Sequence, residues 1–312
     1  MSDDPAAIPV PRFTRHAEAA LAISAACVLS TAQDTAIKWL SGAYPFPEMQ
    51  TIRCGVALTL VGAFAVGAGG VRSLLMRQWP LVVARGLLLA LASALFYLTA
   101  AAMPYPEAVA LYFTMPLLVA ALSAPILRER VPPLRWGAVA TGLVGVLFIL
   151  RPGAAAFEPA AFLGLGCALL YALGNLMTRP LSRKLAPAPL AFWQNAMYLA
   201  VALALSALFG GGERHVASHV SLDYLTRGWL WPTLDDFALI GALGVSTAAL
   251  FGLFTLGYRR AEASFVAPFE YSAIVWAVLF SFAVWGQWPD VFAALGIGLI
   301  VGAGLVLAFR DR

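Results

Sequence analysis

The chain has 312 residues, 61% of them apolar and 12% charged, and carries a net charge of +4. A soluble domain has about 45–50% apolar and about 25% charged residues; the excess here is more than a globule can hide from water, so lipid must cover much of it. The same composition excludes a disordered chain, a coiled coil, collagen and a disulfide scaffold, and the positive charges stand in short clusters between apolar runs, leaving no stripe for nucleic acid.

A bilayer core of about 30 Å takes about 20 apolar residues per helix. Ten such runs follow one another: 17–40, 48–69, 80–103, 107–127, 133–150, 160–181, 189–209, 234–257, 263–285 and 289–309. The expected fold is therefore all-α and integral to the membrane. The first run follows a polar tail, 1–16, and is too long for the apolar stretch of a cleavable signal peptide. Connections are short except 210–233, whose Trp229 and Trp231 suit an interfacial excursion. His215 and His219 lie there without further ligands, which reads as a solvated loop and not a metal site. Cys27, Cys54 and Cys167 fall inside apolar runs as small packing residues.

Arginine and lysine set the orientation. With the N-terminus in the cytoplasm, the inner loops hold Arg12, Arg15, Arg72, Arg77, Arg128, Arg130, Arg135, Arg179, Arg183, Lys184, Arg259, Arg260, Arg310 and Arg312. The outer loops hold Arg151, Arg214 and Arg227. This bias satisfies the positive-inside rule and predicts that both termini are cytoplasmic, in a cell inner membrane.

The chain also resembles itself. Glu107-Ala-Val-Ala-Leu-Tyr-Phe-Thr-Met-Pro116 opens the fourth run and Glu262-Ala-Ser-Phe-Val-Ala-Pro268 the ninth. Polar breaks follow both, at 128–132 and 286–290, and then Gly137 and Gly145 answer Gly296 and Gly304 at a constant offset. Five spans separate the copies, an odd number, so the second is expected upside down relative to the first. The expected domains are a first five-helix repeat at 17–153 and an inverted second at 154–312. Inverted repeats of this kind serve alternating access around a midplane site.

These residues resemble the drug/metabolite transporter superfamily, in particular its EamA-type ten-helix carriers. The resemblance rests on 107–116, Leu127-Arg-Glu-Arg130, Gly137 to Gly145 with Arg151-Pro152-Gly153, Ala267-Pro268-Phe-Glu-Tyr271 and Gly286-Gln-Trp-Pro-Asp290. Asp34-Thr-Ala-Ile-Lys38 and Arg53 are similar to the branch containing S-adenosylmethionine uptake carriers. Gln287 stands where the family often has Glu.

Six charges fall inside or at the rim of runs: Asp34, Lys38, Arg53, Arg85, Glu107 and Glu270. Each costs about 2.5–3.5 kcal/mol at a helix centre if unpaired, so partners or a wet interior are required. Asp34 and Lys38 share a helical face and can pair; Arg85 either faces the interior or snorkels inward; Glu107 suits a helix start. Glu270 lies eight residues past Glu262, about 12 Å deep. The functional reading is a polar cavity open outward near Asp34, Lys38 and Arg53, with Glu270 deeper. Arg85, Tyr97, Tyr112, Asn175, Asn195, Tyr271 and Trp276 are further substrate-binding candidates, with Gln33 and Gln194 able to complete the wall. Helix–helix hydrogen bonds explain the asparagines equally well. Pro116 and Pro268 free backbone carbonyls and can kink their helices.

The function expected is a secondary active transporter of a small polar or amphoteric metabolite, an amino acid or derivative including S-adenosylmethionine, with Glu270 or Asp34 as proton carrier. No GxxxxGK[ST] occurs for ATP, and no HExxH or GxSxG for an enzyme, so no catalytic group, cofactor or metal is expected. The expected partners are a small-molecule substrate and the lipid bilayer; a homodimer is compatible. A channel-like facilitator, an exporter of other metabolites or drugs, and a membrane receptor are the alternatives.

Overall fold

A computed structural model describes residues 12–127, 132–152, 158–182, 184–261 and 263–310. Most of the expected N-terminal tail, the 128–130 break, Gly153, Arg183, Glu262 and Arg312 lie outside the described residues. In chain order the helices are α1 (Arg12–Leu40), α2 (Phe46–Gly69), α3 (Trp79–Ala102), α4 (Tyr105–Tyr112), α5 (Met115–Leu127), α6 (Pro133–Leu150) and α7 (Ala161–Ser182). They continue with α8 (Pro187–Phe209), α9 (Val220–Thr226), α10 (Leu234–Arg260), α11 (Ala263–Glu270), α12 (Ser272–Trp285) and α13 (Val291–Arg310).

Ten helical spans among the described residues are long and apolar enough to cross a bilayer, from His16–Leu40 to Val291–Phe309. They match the runs read from the sequence to within a few residues. The helix starts are written locally. Proline occupies the first turn of α2, α3, α4, α6 and α8, where its missing N–H has no helical partner to lose. At α10 the Thr233 hydroxyl accepts from the Asp236 N–H at 3.2 Å, and Asp235 and Asp236 in the first turn oppose Arg259 and Arg260 in the last. That arrangement complements the helix dipole at both ends.

Two spans are not single helices. The fourth breaks between α4 and α5, and the ninth between α11 and α12. Pro116, in the first turn of α5, cannot donate to the Tyr112 carbonyl, and the Thr114 hydroxyl turns back to the Leu111 carbonyl at 2.7 Å. Pro268 lies inside α11, two residues before its end at Glu270. The kinks expected from the prolines are interruptions of one or two residues, Phe113–Thr114 in the fourth span and Tyr271 in the ninth.

Packing runs mainly between halves: third span on sixth and seventh, first on eighth and ninth, second on seventh and eighth, fourth on sixth and ninth, fifth on tenth. The fifth and tenth meet at glycine. A Cβ on Gly145 would stand 2.8 Å from the Gly296 carbonyl, and one on Gly296 2.7 Å from the Gly145 carbonyl, so small residues set this crossing. The other two glycines of the repeat do different things: Gly304 makes room for the Tyr271 hydroxyl, and Gly137 faces open space.

Candidate functional site: a cavity between two broken helices

The breaks face each other across a cavity of about 670 Å³, whose wall includes Tyr112, Phe113 and Pro116 from one and Glu270, Tyr271 and Ala273 from the other. That volume suits a ligand of drug size. Six aromatic rings form a continuous wall. Phe96 meets Tyr97 at 5.3 Å and Tyr112 at 5.9 Å; Tyr112 meets Phe113 and Tyr171, each at 5.3 Å and nearly perpendicular; Phe113 meets Tyr271 at 5.0 Å. Most of these pairs are edge-to-face and the last is tilted, arrangements that hold aromatic rings in place.

The polar groups are few and placed. Asp34 accepts from the Tyr97 hydroxyl at 2.8 Å, and that hydroxyl oxygen accepts from Arg53 Nη1 at 3.0 Å. The Gln33 amide satisfies its neighbours in one orientation, its nitrogen donating to Thr247 and Leu243 and its oxygen accepting from Arg53 at 2.8 Å. A buried cation is thereby linked to the cavity carboxylate through one phenol, although no direct ion pair forms. Glu270 accepts from the Tyr258 hydroxyl, and the Cys27 thiol rests 3.7 Å from the carbonyls of Phe269 and Glu270 at the break. Asn175 Nδ2 points to the Met115 sulfur at 3.2 Å.

Of the residues expected at a site, Asp34, Tyr97, Tyr112, Asn175, Glu270 and Tyr271 line this cavity. Lys38, Arg53, Arg85, Asn195 and Trp276 stand outside its wall. Lys38 does not pair with Asp34: its ammonium donates to the carbonyls of Ala100 and Met103, the latter at 2.6 Å, and lies over the Trp285 ring. Those carbonyls end α3 and lack helical donors, a stronger attraction than a neighbour already held by Tyr97. Arg85 does not snorkel; it is buried, with Nε donating to Thr178 at 2.6 Å. Asn195 donates to the Ala191 carbonyl of its own helix at 3.0 Å, Gln194 to the Tyr198 hydroxyl, and Trp276 packs beside Phe280. Glu107 sits in the first turn of α4, as expected of a helix start. The sequence reading missed Phe96, Phe113, Tyr171 and Tyr258. A usable signal was the spacing of Tyr171 and Asn175, four apart on one face of α7.

The cavity also points the other way from the expectation. Its wall reaches Arg135 in the first turn of α6, Tyr258 near the end of α10, and Leu307 and Ala308 near the end of α13, so it runs toward the end of the bundle that carries both termini. The opposite end is sealed. There Tyr224 of α9 is 1% exposed and packs edge-on against Phe46 at 5.8 Å. Ser221 donates to the Leu98 carbonyl at 2.7 Å, and the Leu230 N–H donates to Glu48 at 2.8 Å. The 210–233 connection is therefore a cap docked on helix ends, with Trp231 alone of its tryptophans fully outward. Outside the spans, Arg227 and then His215 hold the Asp223 carboxyl below its usual range. Arg151 does the same for Asp290, tying the end of α6 to the start of α13.

Ten apolar spans, two of them interrupted beside a ligand-sized cavity closed at one end, are the architecture of a membrane transporter of small molecules. Residues 18–151 and 158–309 each match the EamA-like transporter family, and the chain belongs to that family. It is a multi-pass membrane transporter of small metabolites, not an enzyme. It is 31% identical over 207 residues to a Riboflavin transporter of Rhizobium johnstonii, a match covering 66% of this chain and 63% of that protein's length. It is 24% identical over 286 residues to an S-adenosylmethionine uptake transporter of Rickettsia bellii, covering 91% of each. One crystal structure shares the fold at a TM-score of 0.64 and 21% identity, over 94% of this chain and 97% of the other.

Proposed function

We propose that this protein is a secondary transporter that takes up a flat heteroaromatic metabolite with a polar tail, of the riboflavin or S-adenosylmethionine kind, by alternating access across the inner membrane. The observation that carries the reading is the six-ring wall with Asp34 and Glu270 set into it. Rings grip a flat heterocycle by stacking, and carboxylates receive a cationic or hydroxylated tail. The names of the two relatives agree with such a guest, which an amino acid without a ring would not fill. Alternating access is supported by the packing: the pairs of spans in contact exchange into one another when each span is replaced by the one five further on. The sealed end disfavours a channel. The cluster of arginines on the terminal side supports cytoplasmic termini, so the cavity is open inward. Glu270, held by a phenol and by no cation among the described residues, is the stronger candidate for a proton carrier; Asp34 is linked to Arg53.

Counterflow in liposomes preloaded with riboflavin or with S-adenosylmethionine tests this. Saturable uptake of the matching label is expected for one of them; linear uptake, or none of either, would overturn the proposal.

A further inference from the structure

Asn175 is an amide set half-satisfied into a wall of rings. Its nitrogen has only a thioether, the weakest of acceptors, at 3.2 Å. Its oxygen has no hydrogen-bond donor among the described residues, and the residue lines the cavity. The residue is half-buried, so its amide is presented to the cavity rather than to the protein interior, where a guest with a matching edge can take the place of solvent. The surroundings keep it rigid. One turn earlier on the same face stands Tyr171, edge-on to Tyr112 at 5.3 Å. Gly174 lets α7 press against α3, since a Cβ there would fall 2.7 Å from Leu89. Nearly one turn later, Thr178 donates to the Gly174 carbonyl at 2.8 Å and accepts from Arg85 at 2.6 Å. The backbone on both sides of Asn175 is thus pinned to α3, and the amide is held beside the ring slot in advance of binding.

We infer that Asn175 is the specificity-determining residue of this carrier, reading the donor–acceptor edge of the bound heterocycle while one of the mutually perpendicular rings of Tyr112 and Tyr171 stacks on its face. An amide presents one acceptor and two donors in a plane. That pattern complements an edge with an N–H or NH₂ next to a ring nitrogen or carbonyl, as asparagine pairs two-fold with adenine. The imide edge of a flavin offers the same alternation. Arg85 acts through Thr178 as a positioning residue and does not touch the substrate. The inference rests on the planar heteroaromatic reading above.

The test compares each parent compound with a version methylated on that edge: riboflavin with N3-methylriboflavin, and S-adenosylmethionine with its N6,N6-dimethyl form. Competition for uptake into liposomes is measured with the wild type, Asn175→Leu and Asn175→Ala. The wild type is expected to prefer a parent over its methylated form by about 10- to 100-fold. Both variants are expected to bring that ratio near one, because they weaken only the parent. A wild type that does not discriminate overturns the inference without reference to any variant, and so does either variant keeping the wild-type ratio. If the wild type moves neither parent, the planar reading itself falls and takes this inference with it; if a parent moves and the ratio ignores Asn175, only the inference falls.

Discussion

Arg53 is 4% exposed and stands about a third of the way into the second span. A lone arginine at such a depth would cost up to about 2.5–3.5 kcal/mol on insertion scales, and the offset comes from the Tyr97 phenol and the Gln33 amide. Tyr97→Phe removes the one atom that serves both Arg53 and Asp34, leaving a donor and an acceptor buried without each other's bridge. The expected result is a loss of about 1–3 kcal/mol of stability, read as a lower midpoint of thermal unfolding in detergent, with impaired uptake. An unchanged midpoint would show that water replaces the hydroxyl at no cost. This scale was partly legible. Spacing along a helix gave the depth of Asp34, Lys38 and Arg53, but depth does not say which neighbour lies opposite. Lys38 finds carbonyls on α3 more than sixty residues away in the chain, and nothing within one helix announces them. Asp34 in turn meets a phenol from the same distant helix.

At the scale of helices, the two broken spans and the glycine crossing shape the site. Prolines and repeated glycines were visible in the sequence and marked the paired elements. What was not visible is which glycines meet, since Gly145 touches the counterpart of Gly137 and not its own; crossing points follow from three-dimensional registry, which a one-dimensional offset does not fix. Gly296→Val should wedge α6 from α13, costing about 1–3 kcal/mol through overpacking. Gly298→Val, two residues on with open space around its Cβ position, should leave the unfolding midpoint unchanged. Equal effects of the two would contradict the crossing. The interruptions were read as kinks at the prolines. Their places, Phe113–Thr114 after the proline-free last turn of α4 and Tyr271 three residues past Pro268, were not legible, because a proline frees a carbonyl without fixing which residue leaves the helix.

For the molecule as a whole, ten spans were readable because lipid imposes length and apolarity on each one. The direction of the cavity was not, since hydropathy along the spans is the same whichever end of the bundle opens. The cap 210–233 was likewise hidden: its buried Tyr224 and Ser221 read as ordinary loop residues until α9 is seen against Phe46 and Leu98. The account's central claim is that the ring-walled cavity between the broken helices is the substrate site and opens toward the termini. It is tested most directly by placing a cysteine at Ala308, near the cavity mouth, in a chain whose Cys27, Cys54 and Cys167 are replaced by alanine. A membrane-impermeant maleimide is then applied to sealed vesicles of each orientation, with and without riboflavin or S-adenosylmethionine. The account predicts labelling from the cytoplasmic face and protection by the transported compound; labelling from the outer face, or labelling that neither compound slows, would contradict it.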